Sequence, residues 1–74
     1  MGNKRFAVAW TPLMDNVTEI QFINAENPVG ALLMVARAKG FTDLESSNDD
    51  ELSTLEAELF NGDVVATSVE VPEL

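Results

Sequence analysis

The chain has 74 residues, with 13 acidic side chains against 4 basic ones and no cysteine, histidine or tyrosine. That length holds one small domain, residues 1–74, in which the free energies of burial and of chain ordering nearly cancel. Without Cys and His there are no disulfide staples, no usual zinc ligands, no Ser-His or Cys-His nucleophiles and no ligands for haem or iron–sulfur clusters, and the missing Tyr removes phenolic acids. No enzyme, metal or cofactor is expected, and the chain reads as a protein that works by binding.

Strict alternation opens the chain. Phe6, Val8 and Trp10 share one face and Arg5, Ala7 and Ala9 the other, so Lys4 to Trp10 reads as a strand. The segment Thr11 to Asn16 supplies Pro, Asp and Asn for a loop, with Pro12 breaking the ladder. Val17 to Asn24 alternates again with Thr18, Ile20 and Phe22 on one side, which completes a hairpin and places Phe22 with Phe6 and Trp10 in the core.

The period then changes. Asn27 is a good N-cap and Pro28 suits the first helical position, and the residues that follow are apolar on almost every face, so a buried helix is predicted from Pro28 to Lys39. Arg37 and Lys39 suit its C-terminal dipole, Gly40 its left-handed cap, and Phe41 is placed to fold back on Ala36. After a loop over Thr42–Ser47, Ser47 or Asn48 caps a second helix, with Asp50 or Glu51 completing a capping box. Leu52, Leu55, Leu59 and Phe60 form its stripe, and Asn61-Gly62 stops it. Glu56 falls on the edge of that stripe, where it either pairs with Arg37 or Lys39 or faces solvent. Val64 to Val71 alternates as a third strand ended by Pro72, with Val65, Thr67, Val69 and Val71 on one face.

The fold class is therefore α+β, in the order β-β-α-α-β, a three-stranded sheet with both helices packed on one face. Counting a reversal at each short loop makes the third strand antiparallel to the second and parallel to the first, and it can pair with either. The face left uncovered is expected to carry Ala7, Ala9, Val17, Glu19, Gln21, Ile23, Val64, Ala66, Ser68 and Glu70. Val17, Ile23, Val64 and Ala66 are its candidate self-association residues.

Net charge is −9, and its distribution is uneven. Residues 1–40 balance Lys4, Arg5, Arg37 and Lys39 against Asp15, Glu19 and Glu26, whereas residues 41–74 hold every other acid and no base. Such an acidic surface disfavours phosphate backbones and anionic membranes as direct partners. It suits a partner protein with a basic patch, and Asp43, Glu45, Asp49, Asp50, Glu51 and Glu58 are the candidate docking residues. Carboxylates one helical turn apart stand about 5–6 Å from each other, comparable with phosphate spacing, so the extreme form is a nucleic-acid mimic occupying a DNA- or RNA-binding protein. Small inhibitors from phages and mobile elements offer an analogy of size and charge alone. The alternative is a self-associating scaffold, a homodimer through the open sheet face, in which acid serves solubility.

Other motifs fail on inspection. Asp43 to Asp49 starts like a calcium loop, but Asn48 stands where the turn glycine belongs and Thr54 where a bidentate Glu is needed. Glu56 and Glu58, two apart on a helix, diverge and cannot act as a catalytic pair. The four glycines are scattered, and no basic groove interleaves the aromatic residues. Gly2 lacks the Ser or Thr that a myristoylation signal wants at Phe6, and the run Phe6–Trp10 is too short for a signal-peptide core or a membrane span. Asn16-Val17-Thr18 matches the glycosylation sequon, but without a secretory signal it reads as chance. A cytoplasmic location is expected.

Overall fold

In the computed structural model, which describes residues 3–72, five elements follow the expected order. They are β1 (Lys4–Pro12), β2 (Glu19–Ala25), α1 (Pro28–Ala38), α2 (Leu52–Asn61) and β3 (Val64–Glu70). Gly2 and Glu73, which entered the lipidation and charge arguments, lie outside the described residues. The three strands form one sheet in the order β2-β1-β3, with β1 antiparallel to both neighbours.

The antiparallel pairing of β3 with β1 corrects the expected parallel orientation. The count assumed a reversal at every connection, but the segment from Lys39 to Glu51 is too long to enforce one. By contrast, the hairpin and the α2–β3 turn are tight. In the hairpin, Asn16 takes the left-handed conformation with φ 56° and donates its N–H to the Pro12 carbonyl. Between α2 and β3, Asp63 takes the left-handed conformation at φ 66° and donates its N–H to the Phe60 carbonyl.

Local chemistry explains α1. The Asn27 carboxamide oxygen accepts from the Gly30 N–H at 2.7 Å, with Pro28 in the first turn. At the other end Lys39 is the C-cap and Gly40 adopts φ 101°, while Phe41 donates to the Ala36 carbonyl and Gly40 to that of Arg37. These are the two bonds of a Schellman cap. The cap turns Phe41 onto Trp10, edge to face, with ring centroids 5.4 Å apart.

Helix α2 starts later than its capping motif. The Ser47 N–H donates to the Asp50 carboxylate and the Asp50 N–H to the Ser47 carbonyl, so the box closes as an isolated turn. Glu51 is the N-cap and contributes no side-chain bond. Leu55 and Leu59 are buried and Leu52 packs against the core, but Phe60 lies outside the stripe and is exposed. Glu56 pairs with neither Arg37 nor Lys39; it accepts a 2.6 Å hydrogen bond from the Thr67 hydroxyl.

The core lies between the helices and one side of the sheet. Phe6, Val8 and Trp10 of β1 meet Leu32, Leu33 and Val35 of α1, Leu55 and Leu59 of α2, and Val64 and Ala66 of β3. Register decides which β2 residues join them: Phe6 stands opposite Ile23 and Ala7 opposite Phe22, so Ile23 faces the helices and Phe22 faces away. Phe22 is therefore not a core residue. Among the described residues no helix is long and apolar enough to cross a membrane.

Candidate functional site

The face of the sheet turned away from the helices is built in rows by the register. Phe22, Ala7 and Val69 make one row, and Ile20, Ala9 and Thr67 the next. Thr11 pairs with Val65 in the third, and the Thr11 and Thr18 hydroxyls share a hydrogen bond of 2.9 Å. The large side chains are open to solvent: Phe22 is 63% exposed, Ile20 61%, Val69 56% and Val65 49%. None of the residues in these rows is acidic, although the chain has 13 acidic side chains, and the Glu56 carboxylate reaches the face at its β3 edge through Thr67. Arg5, opposite Asn24, is the charge at the end of the face. Because Thr67 belongs to this face, its bond to Glu56 runs around the outer edge of β3, which places α2 along that edge.

This geometry corrects the expected self-association residues. Val64 and Ala66 are 4% and 6% exposed and belong to the core, and Ile23 is half-buried against it. Val17 is exposed but precedes β2, outside the ladder. The cause is a one-residue phase error in β2 and β3, which moves every side chain to the opposite face. Both strands carry apolar residues at both phases, so alternation alone leaves the phase open. In β3 the small Ala66 and Ser68 face inward and leave room for the helices, and the bulkier Val65 and Val69 face out.

The six acidic candidates divide. Asp43, Glu45, Asp49 and Glu51 are exposed. Glu58 is instead a structural bracket: its carboxylate accepts from the Ser46 hydroxyl at 2.6 Å and from the Glu45 and Ser46 N–H groups. The Ser46 hydroxyl, followed by the Glu45 N–H, holds the Glu58 carboxyl below its ordinary acidity range against the opposing effect of burial. Asp50 is likewise engaged, by the Ser47 N–H. Among the described residues no group of three or more carboxylates is arranged to hold a metal ion.

A groove of about 510 Å³ opens at the hairpin end of the sheet, between Trp10, Met14, Val17, Phe41 and Asp63. Lys39 lines it, but its ammonium is bound to Glu19 at 2.5 Å. That contact, with a second from the Gln21 amide, holds the Glu19 carboxyl below its ordinary value. Sequence reasoning missed Phe22, Ile20, Val65 and Val69 as surface residues. The available signal was the helix entry: an apolar Ala25 stands two residues before the Asn27 cap of the buried helix, and stepping back by twos from it places Ile23, not Phe22, inside, as the burial of Ala25 bears out. Comparison of the chain with protein-family models, with curated proteins and with solved structures finds no match.

Proposed function

We propose that this is a non-enzymatic binding module whose working surface is the open face of the sheet. One observation carries the reading. In a chain of net charge −9, three rows of sheet surface built from no acidic residue display Phe22, Ile20, Val65 and Val69 to solvent, and the Glu56 carboxylate meets them at the β3 edge through Thr67. Contiguous exposed apolar patches on small domains mark interaction sites. A cytoplasmic location belongs to the same proposal.

The exposed run Asp43, Glu45, Asp49 and Glu51 supports a second reading, docking on a basic surface of a partner protein, with inhibition or nucleic-acid mimicry as its extreme form. The two readings differ in salt dependence. Tagged protein is used to capture partners from the cells that make it, at low and high salt, beside Phe22→Lys and a variant with Asp43→Asn, Glu45→Gln, Asp49→Asn and Glu51→Gln. The sheet-face reading expects capture to survive high salt and the acidic-run variant, and to be lost in Phe22→Lys. Capture that disappears with salt and with the acidic-run variant, while Phe22→Lys retains it, overturns the reading in favour of charged docking.

A further inference from the structure

We infer that the groove at the hairpin end of the sheet takes an arginine side chain presented by a partner protein. The inference deepens the charged-docking reading and rests on it for the nature of the partner, but the groove is a different surface from residues 43–51. It is also separate from the open face, because Trp10 and Val64, which line it, belong to the helix-facing side of the sheet. Three segments build the groove, and local bonds hold them in place. The Leu13 N–H donates to the Asp63 carbonyl at 2.9 Å, which ties the hairpin loop to the turn between α2 and β3. The Schellman cap of α1 seats Phe41 against Trp10. The groove is therefore preformed, and its volume of about 510 Å³ is that of an ordinary ligand site.

Charge selects a cation. Asp15, Glu19 and Asp63 stand around the groove against one base, Lys39, whose ammonium Glu19 engages. Neither ion pair among the described residues involves Asp15 or Asp63, so two carboxylates remain for a ligand. Helix α2 ends at Gly62 in the same wall with no base in its last turn, and the negative end of its dipole adds to theirs. The apolar lining selects the kind of cation. Met14, Val17 and Val64 offer nothing to a hydrated metal ion, and among the described residues no three acidic side chains are arranged to hold one. A guanidinium is planar and weakly hydrated, forks onto a carboxylate and is attracted to aromatic rings such as Trp10 and Phe41. Its aliphatic stem covers apolar surface on the way in, whereas a compact, strongly hydrated ammonium loses more on entry. Free arginine carries a carboxylate that Asp15 and Asp63 repel. Within a polypeptide that group is an amide, which commits the groove to a side chain borne by a protein.

Titration of the intact chain with N-acetyl-arginine amide at low salt, followed by Trp10 fluorescence and backbone NMR, tests this. Saturable binding with a Kd on the order of 1 mM is expected for a single side chain, with shifts centred on Asp15, Phe41, Gly62 and Asp63. The uncharged isostere N-acetyl-citrulline amide should bind about tenfold more weakly. Asp15→Asn and Asp63→Asn should each weaken arginine binding about threefold to tenfold. Asn tolerates the left-handed conformation required at position 63, so the turn survives the second change. A variant neutralised at Asp43, Glu45, Asp49 and Glu51 should bind within about twofold of wild type. Absence of saturation at roughly 20 mM, equal binding of the citrulline form, or tighter binding of free arginine than of the blocked form overturns the inference. So does a loss in the 43–51 variant as large as that in the groove variants, because the attraction would then be one of net charge alone. Failure of the arginine titration, with partner capture still sensitive to salt and to residues 43–51, would remove the groove and leave charged docking standing.

Discussion

The Ser68 hydroxyl is buried on the helix-facing side of β3, 2% exposed, with no hydrogen-bond partner among the described residues. A buried polar group left unpaired costs free energy that an apolar replacement does not. Ser68→Ala should therefore raise stability by about 1 kcal/mol, or about 4–8 °C in Tm for a domain of this size, in thermal unfolding. A lower Tm would mean that the hydroxyl is satisfied in solution. Gly62 makes the opposite case. Its φ of −96° suits any residue, so its requirement is space: a Cβ there would stand 2.8 Å from Phe41 Cε2. Gly62→Ala must push the Phe41 ring against its edge-to-face contact with Trp10, and it should cost ~1–2 kcal/mol, within the range for overpacked sites. Trp10 is the only tryptophan, so its fluorescence should shift in the same variant. An unchanged Tm and emission would show that Phe41 relaxes freely.

At the scale of elements, what was legible in the sequence depended on how many independent signals agreed. Helix α1 carried an N-cap, a first-turn proline, apolar periodicity and a glycine stop, and it forms with its Schellman bonds as read. Strands β2 and β3 carried one signal, alternation, and Ile20 and Phe22 compete evenly with Ile23 and Ala25 for the inside. Their existence was legible but their phase was not, because phase is set by pairing with β1 and by the entry to α1. That error put Val64 and Ala66, in place of Val65 and Val69, on the open face of the sheet. The long segment between the helices showed no sequence periodicity, and its organiser, Glu58, read as a docking residue of the acidic face. The bracket from Glu58 to Glu45 and Ser46 ties that segment to α2. Glu58→Ala should reduce the exchange protection of the Glu45 and Ser46 amides at neutral pH. In the wild-type chain the same protection should depend on pH. A carboxyl whose folded pKa is depressed stabilises fully above its unfolded value near 4.5, and the contribution is lost as the pH falls through the lower folded value. Loss of protection centred above 4.5 would contradict the assignment.

For the whole molecule, charge fixes the sign of the salt response. The Cα radius of gyration is 11.6 Å, about one Debye length at 0.1 M salt and several at 1 M. At low salt each exposed carboxylate along residues 43–51 therefore feels most of the others. The ion pairs among the described residues, Lys4–Glu70 at 3.8 Å and Lys39–Glu19, are exposed or half-exposed and repay little of that repulsion. Salt weakens both effects, and with 13 acids against 4 bases the repulsion is the larger. Thermal unfolding of dilute protein should thus give a Tm that rises by roughly 5 °C between low and molar sodium chloride, equivalent to ~1 kcal/mol. Replacing Asp43 and Asp49 with Asn and Glu51 with Gln should raise the low-salt Tm and flatten the curve, because these exposed side chains make no hydrogen bond to the other described residues. A Tm that fell with salt would show that attraction within the ion pairs outweighs repulsion. The same screening weakens a contact between the acidic run and a basic partner and leaves an apolar contact through the sheet face standing, so association measured along the same salt series separates the two proposed surfaces.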